Sequence, residues 1–185
     1  MIVVDVQRET AEESPDDESF KAAATLALRM AGREQPKPTE ISLRIVDEAE
    51  MQALNQHYRN KAYPTNVLSF PAQLDPAIQN ELSSELLGDI AVCAPVVIRE
   101  AQAQGKHSQA HWDHMMIHGV LHLLGFDHEN DTEAQQMERI EIEALGALGW
   151  PNPYSESRAE SAVDHSVVDS LDPIAEDRAS VGGSA

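Results

Sequence analysis

Apolar and polar positions alternate along this chain in two different periods, and the switches between them predict its elements. Residues 2–6 alternate with period two, which predicts a short strand. Over 19–33 the period becomes helical. Phe20, Ala23, Ala24, Ala27, Leu28 and Ala31 form one stripe there, and Gly32 and Pro36 mark its end. Residues 41–46 return to clean alternation, a second strand, after which Asp47 is an N-cap for a helix running to about Arg59. Pro64-Thr65-Asn66 is turn chemistry ahead of a strand over 67–70, stopped by Pro71. Residues 86–93 predict another strand, with Gly88 at a bulge or a close approach. The rest reads as helices over 95–104, 108–124 and 132–148, the last capped by Thr132 or Asp131. Few strands and many helices, intermixed and without internal repeats, predict an α+β domain: a small mixed β-sheet covered by helices.

Composition divides the chain in two. Its 185 residues suit one domain over 1–150 and a tail over 151–185. An apolar content of 42% supports a core in the first part. Beyond Pro151 the pattern dissolves into Ser, Ala, Asp, Glu and Gly, with seven acidic and two basic residues, which predicts a disordered acidic tail. No apolar run approaches the roughly 18 residues of a bilayer span. The N-terminus has no basic region or small-residue cleavage site, so a cytoplasmic, membrane-free protein is expected. Cys93 is the only cysteine and sits in an apolar run, which excludes a disulfide framework and a Cys-based metal site.

Charge narrows the partners. A formal charge of −19 argues against DNA and against RNA over most of the surface, because phosphate contacts supply non-specific affinity. The acid is uneven, however. Residues 51–74 contain Arg59 and Lys61 and no Asp or Glu, so an anionic substrate would have to land there.

The chemistry is concentrated in His118-Gly119-Val120-Leu121-His122-Leu123-Leu124-Gly125-Phe126-Asp127-His128. Two histidines four apart share one helix face. Gly125 can end that helix in the left-handed conformation and let the chain bring His128 back as a third nitrogen. Three neutral imidazoles around one tetrahedral Zn²⁺, each at about 2.0–2.1 Å, leave a fourth position for water. Sequence favours zinc only weakly over other imidazole-binding metals. A zinc peptidase of the H-E-x-x-H kind carries its general base after the first His. Here that residue is Gly119, so a metal cage is expected and peptide hydrolysis is not. His107, His111 and His114 read as supporting or surface residues, and Asp127 or Asp89 as a partner for a ligating imidazole. On spacing alone, Arg59 is either a solvated helix-end residue or a bidentate phosphate holder. Ser69 has no assignable base and is not read as a nucleophile.

Four blocks in order resemble the YbeY family. They are Leu54-Asn55-Gln56-His57-Tyr58-Arg59-Asn60-Lys61, Pro64-Thr65-Asn66-Val67-Leu68-Ser69-Phe70-Pro71, Leu87-Gly88-Asp89-Ile90 and the three-histidine stretch, together spanning about 40–150. The resemblance implies a metal-dependent single-strand endoribonuclease with a zincin-like α+β fold, acting in 16S rRNA 3′-end maturation and ribosome quality control. It implies Zn²⁺ on His118, His122 and His128, and an essential Arg59 facing the metal. Its implied partners are single-stranded 16S rRNA precursor and small-subunit components. The general base stays unassigned. Two other readings stand beside it: a metal-dependent hydrolase of a peptide or small ester, and a non-catalytic ribosome-assembly factor whose zinc is structural, with His114 or Asp127 closing the site.

Overall fold

The computed structural model describes residues 1–33, 36–127 and 130–155. His128 lies outside the described residues, as does the 156–185 part of the expected tail. The chain divides into a compact unit, Met1–Pro153, and a second, Tyr154–Ala185.

The first unit is built on a four-stranded sheet. Its strands β1 (Ile2–Arg8), β2 (Thr39–Val46), β3 (Val67–Pro71) and β4 (Glu85–Cys93) lie in the order β1-β2-β4-β3. β1, β2 and β4 are mutually parallel, and β3 closes one edge antiparallel to β4. Parallel neighbours need a crossover of about a dozen residues or more. Between β1 and β2 that crossover is α1 (Asp17–Met30). Between β2 and β4 the chain passes through α2 (Glu48–Arg59), β3 and the short α3 (Pro76–Glu81). Three helices follow: α4 (Ala94–Ala103), α5 (Ser108–Leu123) and α6 (Asp131–Ala147). This is the mixed α+β arrangement that the alternation of periods predicts.

Period two in the strands sorts side chains between two cores. Ile41, Leu43, Ile90, Val92 and Val67 face α1, α5 and α6, and form the larger core with Phe20, Leu28, Ile117, Leu121 and Ile140. Leu68, Ala91, Cys93 and Val46 face the other way and meet Met51 of α2 and Val96 of α4. Cys93 is therefore a buried packing residue, as its apolar run predicts. The antiparallel edge strand thus has an α5 face carrying Val67 and Ser69, and an α2 face carrying Leu68 and Phe70. A cleft lined by Ser69 and by His118 and His122 of α5 forms at this edge.

Several boundaries move from the predicted ones for identifiable reasons. Asp16 rather than a later residue caps α1, accepting from the Ser19 N–H at 2.8 Å. Asp47 caps α2 as predicted, accepting from Glu50. α6 is capped by Asn130, whose Oδ1 accepts from the Glu133 N–H, and not by Asp131 or Thr132, which lie inside the helix. α3 has no apolar period to announce it. It rests on local chemistry alone, Asp75 as cap and Pro76 in the first turn. Gly88 sits where the β2–β4 register shifts, with Ile41 opposite it and Glu40 opposite Leu86. A β-carbon at Gly88 would collide with the Phe70 carbonyl, so the close approach predicted from its place in the strand is real. No helix among the described residues is long and apolar enough to cross a membrane.

Candidate active site

The histidine helix ends as its glycine predicts. Gly125 adopts φ 86; its N–H reaches the His122 carbonyl and the Phe126 N–H reaches that of Leu121, each at 3.0 Å. That pair of bonds is the Schellman arrangement, which satisfies two of the last carbonyls and turns the chain back. Asp127 is thereby returned to the cleft lined by His118 and His122.

The His118 and His122 rings stand nearly perpendicular, with their Nε2 atoms 3.0 Å apart. The other nitrogen of His118, Nδ1, lies 2.7 Å from Oε1 of Glu141, on α6. His114 Nε2 stands 3.5 Å from the second oxygen of the same carboxylate. Glu141 is only 1% exposed. Burial pushes its carboxyl up, but the hydrogen bonds to His114 and His118, and the charge they can carry, outweigh that and bring it down to about 2. It is therefore ionised near neutral pH and can only accept. His118 then donates from Nδ1, and its Nε2 faces that of His122. Carboxylate–imidazole pairs of this kind fix the tautomer and raise the basicity of a metal-binding nitrogen.

This donor set fits a divalent cation. Two nitrogens on one tetrahedral ion stand about 3.3 Å apart, close to the present separation, so little movement is needed to bind one. Among the described residues no group of three His, Cys, Asp or Glu side chains is placed to hold a metal ion. The predicted third nitrogen, His128, is outside them.

Glu141, not Asp89, is the carboxylate on Nδ1 of His118. Asp89 is exposed on β4 beside Asp5 and Ser42, on the sheet face away from α5. Glu141 was missed in sequence, although a signal exists. It falls at i+4 in the series Met137, Ile140, Glu141, Ala144 and Leu145, all buried, so an acid interrupts the apolar stripe of α6. The other histidines take supporting places. His107 caps α5, accepting from Gln109, and stacks on Trp150. His111 is buried, with Nε2 2.8 Å from Glu100 of α4. Glu100 in turn accepts from the Asn66 amide at 3.1 Å. Burial pushes the Glu100 carboxyl up, and the His111 and Asn66 bonds overcome this, leaving it below its usual 4.5. Asn66 also receives the Val67 N–H on Oδ1, so the cleft wall is braced from both sides.

The opposite wall carries Arg59. It is the last residue of α2, exposed, and lines the same cleft of about 270 Å³ as Thr65, Asn66, Ser69, His118, His122 and Asp127. More than fifty residues separate Arg59 from the histidines in sequence, and the fold brings them to one cavity. Ser69 Oγ donates to the Gly119 carbonyl at 3.1 Å and ties the edge strand to α5. Gly119 itself faces the sheet: a β-carbon there would lie 3.1 Å from Ile90 and 3.3 Å from Ser69 Oγ. The position that would carry a peptidase's glutamate is therefore filled by the sheet.

Fold and cleft define a class: an α+β protein that sets paired imidazoles, backed by a buried carboxylate, against a guanidinium at the antiparallel edge of its sheet. The family model described as Endoribonuclease YbeY matches residues 5–149. The chain belongs to the YbeY family. It is 48% identical over 161 residues to the Endoribonuclease YbeY of Pseudomonas putida (strain W619), covering 87% of this chain and 98% of that protein. Identity and coverage are the same for the Pseudomonas entomophila (strain L48) protein of that name. A solution structure of Thermotoga maritima TM1509 aligns with a TM-score of 0.47 and 22% identity, over 92% of this chain and 100% of that one.

Proposed function

We propose that this protein is a zinc-dependent, single-strand-specific endoribonuclease that works in the cytoplasm on the 3′ end of 16S rRNA precursor and in ribosome quality control, alongside small-subunit components. The observation that carries the reading is the shared cleft: Arg59 lines the same cavity as His118 and His122. Membership of a family named for endoribonuclease activity supports the same substrate class.

In this reading His118, His122 and His128 hold one Zn²⁺. When bound, such an ion supplies Lewis acidity toward a phosphoryl oxygen and lowers the pKa of water. The chain's own residues do the rest. Glu141 keeps the His118 proton on Nδ1 and the ring in one orientation. Arg59 grips the scissile phosphate through two parallel N–H bonds and offsets charge that develops on its oxygens. The acid-free segment 51–74 admits a phosphate chain where the rest of this −19 protein repels it. Peptide hydrolysis finds no support, because the Gly119 position has no room for a carboxylate without displacing Ile90.

The test is to incubate the full chain with a single-stranded oligoribonucleotide, its duplex, and casein, each with and without chelator. Cleavage of the single strand alone, lost on chelation and regained with Zn²⁺, is expected. A 2′,3′-cyclic phosphate end on the product would assign the nucleophile to the substrate's 2′-OH rather than to water. Casein cleavage without RNA cleavage would give the protein to another hydrolase class. Metal-dependent folding with no cleavage at all would make it a non-catalytic assembly factor.

A further inference from the structure

One residue before Arg59 and four after it in the chain, two large aromatic rings stand exposed on a backbone that is held in place. α2 ends at Arg59, and Asn60, in the left-handed conformation at φ 55, reverses the chain. The returning loop is pinned to the helix it left. The Asn55 amide donates to the Tyr63 carbonyl at 2.7 Å, Gln52 donates to the Ala62 carbonyl at 3.2 Å, and the Lys61 N–H reaches the Asn55 carbonyl at 3.3 Å. Asn55 is itself buried. Yet Tyr58 is 59% exposed and Tyr63 54% exposed. The Tyr58 ring is also oriented, tilted against Phe70 at 4.7 Å and met edge-on by His57 at 4.6 Å. Order without burial is what a preformed recognition surface requires, since the cost of immobilising it is met before the ligand arrives.

The surroundings select the ligand. Tyr58 precedes Arg59, and Tyr63 lies two residues before Thr65, both cleft residues. Lys61 sits between the rings in sequence, within residues 51–74, which carry cations and no acid. A basic protein partner would be drawn to the acidic surface elsewhere. Aromatic faces interleaved with cations instead match a single-stranded nucleic acid, whose bases stack on rings while its phosphates meet Lys and Arg.

We propose that Tyr58 and Tyr63 are a base-stacking platform for the nucleotides that flank the phosphate held by Arg59. The proposal rests on the endoribonuclease reading and adds to it how unpaired strands are chosen: only bases freed from a duplex can lie on the rings. The rings touch substrate away from the reacting bond, so their loss weakens binding and leaves the chemical step alone.

Steady-state cleavage of a single-stranded oligoribonucleotide by the full chain tests this. Tyr63→Ala and Tyr58→Ala are expected to raise KM by roughly 5- to 100-fold with kcat within about twofold of wild type. Tyr63→Phe and Tyr58→Phe, which keep the ring, should restore KM. With abasic sites placed beside the scissile phosphate, wild-type KM should rise to the level of the alanine variants, and those variants should lose nothing more. Alanine variants with wild-type KM would overturn the proposal, and so would a loss equally large on the abasic strand. Unchanged RNA kinetics together with loss of a protein partner in the same variants would assign the surface to that partner and overturn it. Failure of the wild type to cleave any single strand is a separate result, which removes the nuclease reading and this inference with it.

Discussion

The two walls of the cleft are built on opposite principles. On the α5 side, His111 and His114 are buried, and Glu100 and Glu141 hold the imidazoles by hydrogen bonds from neighbouring helices. On the α2 side, Arg59, Lys61, Tyr58 and Tyr63 are all exposed, and what is fixed is the backbone that carries them. The difference is instructive. The proposed cation site would need atoms placed to within tenths of an ångström, which packing and second partners supply. The proposed site for a long flexible anion would need reach and charge, which exposed side chains on a fixed backbone supply.

Substitutions on each wall should therefore fail in different ways. The largest effect is expected from Arg59→Ala, about a 10²–10³-fold drop in kcat/KM by analogy with loss of one transition-state donor. Zn²⁺ affinity, measured by calorimetry on the same variant, should be unchanged; a parallel loss of metal would merge the two walls into one unit. Next comes Glu141→Gln, which keeps size but no longer requires His118 to donate from Nδ1. Zn²⁺ affinity should fall about 10–100-fold, and ¹⁵N chemical shifts should show His118 leaving its single tautomer. Wild-type affinity and tautomer in that variant would reduce Glu141 to packing.

The smallest effect concerns Glu100. Its carboxyl lies below its usual 4.5 in the folded protein. A depressed carboxyl contributes stability that is fully present above about pH 4.5 and is lost as pH falls through the folded value. Glu100→Gln should cost about 1–2 kcal/mol at neutral pH. The gap in Tm between variant and wild type should close as the buffer is taken from pH 6 to pH 3. A gap constant across that range would show that the hydrogen-bonded Glu100 carboxylate contributes nothing pH-dependent.

How legible each part was follows from the range of the interaction that fixes it. The alternation in β2 and the alanine-rich stripe of α1 need only neighbours within one element, and they could be read directly. So could the Gly125 helix end, because left-handed backbone is a property of one residue. α3 could not, since Asp75 and Pro76 give it a start but no apolar face gives it a length. The cap of α6 was displaced to Asn130 for a related reason: Asn, Asp and Thr in succession are all competent, and only the packed helix decides which is last outside. Asp89 is a candidate of the right kind, yet the acid on Nδ1 of His118 comes from Glu141, 23 residues downstream.

By itself, the sequence determined every element but α3, the spacing of His118 and His122, the uneven charge that leaves Arg59 and Lys61 in an acid-free stretch, and the family. These are local or compositional properties, which covalent geometry and side-chain chemistry fix wherever the segment lies. Only the tertiary structure decided that Arg59 shares a cavity with the histidines, that Glu141 is the buried acid among the many of α6, and that Gly119 faces Ile90. Each of these depends on which helix face meets the sheet, and that choice is made by the whole core at once.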